Sequence, residues 1–342
     1  MLDPHSTHGG TDSMPDPRYD FSTNANPLGP CPSVLAHVRN ADVTRYPDPL
    51  YTRLREVLAA FHRTTPDRIV VGAGASELIL RLIRCVDGPV QQLVPTFSEY
   101  ALGAQLAERR LISTRSPAEF LRAQAQCPGI GFVCWPNNPT GELWPLDFVA
   151  AAADAGPLVV DMAYAPLCDA PLSAAIEAAA SRAYRLYSPN KAFGLTGVRG
   201  AYLITPRIDR RIAAAAPSWV IGRDAVAFLE GACEAQTQAW LAQGLPQLKR
   251  WRIRLARSLQ QRGLEVRESP ATFLMAKVGN AAQIAAHLRT RELRVRDGSS
   301  FGLPEWIRLS AQPVQAQRAL MTALNSALSD PRNEPCTVKP VL

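Results

Sequence analysis

Only four of the 37 basic residues in this chain are lysines: Lys191, Lys249, Lys277 and Lys339. Chemistry that needs a primary amine as nucleophile or proton carrier therefore has few candidates. Lys191 stands in Ser188-Pro189-Asn190-Lys191-Ala192-Phe193-Gly194-Leu195-Thr196-Gly197-Val198-Arg199, just past the end of a predicted strand. Ser188 and Arg199 flank it and would offer a hydroxyl and a guanidinium to one phosphate group. The stretch Gly72-Ala73-Gly74-Ala75-Ser76-Glu77 joins a strand to a helix, which leaves backbone N–H groups at a helix start where a phosphate can sit.

Upstream of the lysine, Asp161 ends the run Leu158-Val159-Val160, and Tyr164 follows. An acid there would hold the ring nitrogen of a pyridine-based cofactor protonated, with the tyrosine hydroxyl on the ring's phenolic oxygen. The turn Trp135-Pro136-Asn137-Asn138-Pro139-Thr140-Gly141 would aim the Asn138 amide at the same oxygen. Phe97 or Tyr100 would stack on a flat ring. Alone, each is also an ordinary surface lysine, helix cap, turn or core aromatic. The glycine turn half-matches a dinucleotide fingerprint, but its third glycine is missing, so a nicotinamide dehydrogenase is the weaker reading.

Apolar runs of strand length alternate with segments of helical period from about residue 68 to 205, the pattern of a parallel sheet covered by helices. Strands are predicted at 68–71, 90–94, 130–135, 157–161, 182–187 and 200–204, with helices at 77–85, 99–109, 118–126 and 146–153. Residues 221–262 read as two long helices broken around Gly244 and Pro246. A smaller α+β unit follows, with strands at 264–268, 273–278, 293–296 and 306–309 and helices at 281–289 and 313–328. The expected organisation is a flexible tail (1–17), an N-terminal arm (18–50), a large cofactor-binding domain (51–240), a small C-terminal domain (241–330) and a second tail (331–342).

A chain of 342 residues with 47% hydrophobic and 20% charged residues can bury a sizeable core. No run of eighteen apolar residues occurs, and residues 1–19 lack the pattern of a secretory signal, so neither membrane span nor export is expected. The seven cysteines are odd in number and scattered, and the five histidines form no cluster; a reducing cytoplasm and no metal are expected. The net charge of +7 is spread rather than striped, which argues against a nucleic-acid partner.

The order of the motifs resembles that of fold-type I pyridoxal-phosphate enzymes, the class I/II aminotransferase family, from about Phe21 to Leu328. The resemblance implies an α/β fold, with a mostly parallel sheet covered by helices in a large domain and a smaller α+β C-terminal domain. It implies that Lys191 carries pyridoxal 5'-phosphate as a Schiff base, that Asp161 pairs with the pyridine nitrogen, and that Asn138 and Tyr164 bind the phenolic oxygen. Phe97 would stack on the ring, and Ala75, Ser76, Ser188 and Arg199 would hold the phosphate.

Four further segments, 20–30, 45–51, 295–304 and 306–310, resemble the branch that holds histidinol-phosphate aminotransferase and threonine-phosphate decarboxylase, the latter from cobalamin biosynthesis. By that resemblance Arg308 clamps a substrate α-carboxylate, Arg296 reaches a substrate phosphate, and Asn26 is a further substrate contact. Tyr46 would cross the interface of a homodimer to the second subunit's cofactor phosphate. The implied substrate is a small anionic, phosphorylated amino compound. Details such as Asp20-Phe21-Ser22 and Tyr46-Pro47-Asp48-Pro49 favour the decarboxylase; the aminotransferase, or a divergent aminotransferase for another amino acid, is the alternative. A non-catalytic protein that binds the cofactor is the competing reading from another class. Met162, where an acid is usual, and Asn190, where Ser or Thr is usual, depart from the family pattern.

Overall fold

The computed structural model describes residues 9–168 and 170–329, with backbone alone for 170–173. The expected tail 331–342, with its Lys339, and the first eight residues of the expected N-terminal tail lie outside the described residues. In chain order the strands are β1 (Tyr19–Asp20), β2 (Ile69–Gly72), β3 (Val90–Leu93), β4 (Leu111–Thr114), β5 (Ile130–Cys134), β6 (Leu158–Asp161) and β7 (Tyr184–Tyr187). They continue with β8 (Ala201–Ile204), β9 (Val266–Arg267), β10 (Phe273–Lys277), β11 (Leu293–Arg294), β12 (Arg296–Asp297) and β13 (Trp306–Ser310).

Contacts divide the chain into two units. The larger comprises Ala25–Asn138 and Glu142–Pro246. Its seven-stranded sheet has the order β2-β8-β7-β6-β5-β3-β4. β8 is antiparallel to both neighbours and the remaining pairs are parallel. Every residue of β5, β6 and β7 is buried, as covering a sheet on both faces demands; β5 and β6 are apolar up to Asp161, while β7 carries the buried Arg185. The edge strand β4 was not among the expected strands. Three of its four residues reach solvent, so it carries no apolar run to read.

Among the described residues the second unit comprises 9–24, Pro139–Gly141 and 247–329. It holds an antiparallel sheet, β12-β13-β10-β9, and the parallel pair β1–β11. Its core gathers Phe21, Leu274, Ile307, Leu309, Leu320 and Leu324. The single strand expected at 293–296 is two, because Leu293–Arg294 pairs with Tyr19–Asp20 while Arg296–Asp297 pairs with β13.

Two expectations are corrected. The helix break around Gly244 and Pro246 is absent: one helix runs from Ala235 to Gln260 with Pro246 inside it. A proline there forfeits its own N–H bond, which neighbouring turns tolerate. The break falls instead at Cys233 and Glu234, so the expected domain boundary at 240/241 lies within a helix. Residues 9–17, expected as part of a flexible tail, are tied down. Asp12 pairs with Arg294 at 2.5 Å and Arg289 at 3.4 Å, and Arg289 also donates to the Pro15 carbonyl. Among the described residues no helix is long and apolar enough to cross a membrane.

In the large unit Phe120 is fully buried, edge-on to Phe148, and a Cβ at Gly131 of β5 would lie 2.7 Å from its ring. Phe120→Ala is expected to remove about 3–5 kcal/mol of stability, read from the midpoint of urea unfolding.

Candidate active site

β2, β3, β5, β6 and β7 point the same way, so the loops after Gly72, Leu93, Cys134, Asp161 and Tyr187 leave one edge of the sheet. Ligands of open α/β sheets collect at that edge. The sheet order thus brings together the motifs that lie far apart in sequence.

Asp161 is 2% exposed. Its Oδ1 accepts from the Ala163 N–H at 3.0 Å and its Oδ2 from the Tyr100 hydroxyl at 2.9 Å. Burial pushes its carboxyl above the ordinary value, and these two bonds and the positive charge of Lys191 act against that rise. Tyr100 is a site residue that sequence reasoning considered only as a stacking ring. An aromatic in the first turn of a helix reads as core, and nothing local shows that its hydroxyl meets an acid sixty-one positions on.

Lys191 sits half-buried in a tight loop, its Nζ 5.4 Å from the centroid of the Tyr164 ring. The loop is closed by the Leu195 N–H on the Asn190 carbonyl at 2.9 Å. Asn190 takes the Ser188 hydroxyl at 3.2 Å and donates to the Thr196 carbonyl at 3.4 Å, so its long amide braces the loop from within. Met162 is buried, its N–H on the Leu186 carbonyl of β7. Asn26, expected to touch substrate, holds this same loop. Its N–H meets the Lys191 carbonyl at 2.9 Å, its Nδ2 donates to the Ala192 carbonyl at 2.9 Å, and its Oδ1 accepts from Leu28.

Gly74 precedes the helix Ala75–Cys85 with φ +95°, a conformation that favours glycine. A Cβ there would also collide with the Arg199 guanidinium. Arg199 therefore lies against the start of the helix opened by Ala75 and Ser76, where N–H groups lack intrahelical acceptors and the dipole favours an anion. Asn137 ties two other edge loops together: its Nδ2 donates to the Pro95 carbonyl at 2.8 Å and its Oδ1 accepts from Thr96 at 3.0 Å. Its neighbour Asn138 and Tyr164 are both buried. Phe97 is half-buried and meets Tyr100 edge-on at 5.8 Å. Tyr46 does not join this group. It is 73% exposed and stacks on Trp219, with ring centroids 4.4 Å apart.

In the small unit Arg296 and Arg308 are directly paired across β12 and β13, and both are buried. Arg296 donates to the Ser300 hydroxyl and lies over the Phe301 ring; Arg308 donates to the Ser22 carbonyl. Oδ1 of Asp297 is spent on Ser299. Burial, and then the charge of Arg308, push Arg296 down to about 10. A base with a lowered native pKa binds fewer protons folded than unfolded, so this pair costs stability at neutral pH and that cost fades only as pH rises past about 10. Like charges directly opposite on adjacent strands are unfavourable to each other.

Gly74→Ala is expected to displace Arg199 and weaken pyridoxal phosphate binding about 10-fold or more, the loss of one charge-assisted bond. Titration of the apoprotein, followed by absorbance, checks this.

A family model for aminotransferase class I and II matches residues 17–324. The histidinol-phosphate aminotransferase of Ruegeria pomeroyi is 28% identical over 327 residues, covering 90% of each chain. Histidinol-phosphate aminotransferase 2 of Gluconobacter oxydans is 31% identical over 331 residues, 90% of this chain and 91% of that one. Among solved structures, histidinol-phosphate aminotransferase from Sinorhizobium meliloti in complex with pyridoxal-5'-phosphate matches with a TM-score of 0.81 at 23% identity, over 92% of this chain and 91% of that one. L-threonine-O-3-phosphate decarboxylase from Porphyromonas gingivalis matches at 0.79 and 21%, over 91% and 99%. With its strand-edge lysine, buried acid and glycine turn in the family's order, this chain belongs to the class I and II aminotransferases.

Proposed function

We propose that this enzyme transaminates a small phosphorylated amine, with histidinol phosphate the best-supported substrate and pyridoxal phosphate as cofactor. The observation that carries the reading is the buried, cross-strand pair Arg296 and Arg308, which suits anionic groups, in a chain whose curated relatives bear the histidinol-phosphate aminotransferase name. This reverses the preference for the decarboxylase drawn from sequence details. The decarboxylase is similar at 21% identity, a likeness that speaks for the fold alone.

The residues fit the cofactor. A buried carboxylate, a half-buried amine and a glycine-backed guanidinium at a helix start match a ring nitrogen, an aldehyde and a phosphate respectively. When bound, pyridoxal phosphate supplies an electron sink for breaking a bond at the substrate Cα. Asp161 would hold the proton on the ring nitrogen that keeps the sink effective. Tyr164 and Asn138 would hold the phenolic oxygen, and Phe97 would cover the ring. Ser188, Arg199 and the N–H groups of Ala75 and Ser76 would take the phosphate. The Lys191 amine would be the group that takes the proton from the substrate Cα. Arg296 receives the substrate phosphate and Arg308 the carboxylate of the amino acid partner. The exposed Tyr46 and Trp219 pair supports a homodimer in which Tyr46 serves the second subunit.

Purified enzyme given histidinol phosphate and 2-oxoglutarate is expected to form glutamate. Carbon dioxide from threonine phosphate, with no glutamate, would instead establish the decarboxylase. Arg308→Gln is expected to raise the KM for 2-oxoglutarate at least about 10-fold while the bound cofactor's spectrum stays unchanged. Lys191→Ala is expected to abolish turnover in a protein that still folds; an active variant would refute the assignment.

A further inference from the structure

The Tyr100 hydroxyl is the only side-chain oxygen donor that the described hydrogen bonds give to Asp161. We propose that Tyr100 is a positioning residue, acting through Asp161 to keep that carboxylate charged and correctly turned toward the ring nitrogen of bound pyridoxal phosphate. The proposal rests on the cofactor reading above.

Among the described residues three titratable groups face Asp161: Tyr100 from the helix Glu99–Leu106, Cys134 from β5 and Lys191 from its loop. They are not equivalent. Burial and the charge of Asp161 push the Cys134 thiol well above its ordinary range, so it stays neutral. Its Sγ points to the Pro136 carbonyl at 3.3 Å. Lys191 is the reacting amine, so its charge is no constant support. The Ala163 N–H is constant but belongs to the backbone. Among the described residues Tyr100 is the side chain whose hydrogen bond can support the carboxylate throughout.

Its surroundings suit that task. The ring is fully buried, stacked on Phe132 at 4.7 Å and 19°, and edge-on to Phe97 at 5.8 Å. Packing therefore fixes where the hydroxyl points. Burial and the neighbouring Asp161 charge push the phenol well above its usual range, so the O–H remains a donor at working pH. Each Asp161 oxygen accepts one of these protein bonds and retains a lone pair for a further donor.

Tyr100→Phe keeps the ring and its stacking and removes the donor. Without that bond the carboxylate holds its own proton more readily, which draws positive charge away from the ring nitrogen. The lysine-linked nitrogen is then easier to protonate. The pH midpoint of the bound cofactor's visible absorbance is expected to move up, and cofactor affinity to fall about 10-fold, as loss of a bond to a charged group implies. In the Asp161→Asn background the same change is expected to have no further effect on affinity.

An equal loss in both backgrounds would mean that Tyr100 acts by packing and would overturn the proposal, as would an unchanged midpoint. If Tyr100→Phe does not fold, Phe132→Leu, which keeps the hydroxyl but frees its ring, is expected to move the midpoint in the same direction. No movement there overturns it too. Failure of the cofactor reading is distinguishable, because the unaltered protein would then take up no pyridoxal phosphate.

Discussion

A carboxylate at the centre of a protein has to be held by donors, or it takes up a proton and loses its charge. Asp161 is such a group, and much of the large unit is arranged around it. It ends β6, the strand between β5 and β7 in the middle of the sheet. From β5 comes the thiol of Cys134, its register partner. The loop after β7 brings Lys191, the helix after β3 brings Tyr100, and its own chain supplies the Ala163 N–H. A parallel sheet is the economical way to deliver groups from so many segments to one point, because each strand exits at the same edge.

The phosphate end of the site obeys a different constraint, close approach. Gly74 has no side chain where the Arg199 guanidinium lies, and its positive φ opens the helix at that point. The lysine loop is held from below by Asn26 and from within by Asn190, both through amides that bond backbone groups. Asn190 thus has a mechanical account as a loop brace. For Met162 the structure shows burial and a backbone bond to β7, and nothing beyond that explains the residue.

Much of the sheet was legible in the sequence because strands buried on both faces are mostly apolar, even with Gln91, Gln92 and Arg185 among them, and because glycine, Asn-Pro and lysine after such strands are conspicuous. β4 was hidden by its exposure at the sheet edge, and the helix through Pro246 by the weight given to one proline. The bond from the Asn26 amide to a loop 166 residues away was not legible, because an Asn-Pro turn shows nothing of a partner so distant in sequence. Tyr100 was underread for the same reason, since only the fold brings its hydroxyl to Asp161. The reaction itself was the least legible feature. The arginine pair shows a taste for anions, whereas transamination and decarboxylation differ in which Cα bond stands perpendicular to the ring.

The central claim is that Lys191 is the amine that holds pyridoxal phosphate. Borohydride reduction of the protein loaded with the cofactor, followed by peptide mass mapping, tests it directly. The expected result is one pyridoxyl group, on the peptide that contains Lys191. A label on Lys249, Lys277 or Lys339 instead, or no label on a protein that is fully folded and saturated with cofactor, would contradict the account.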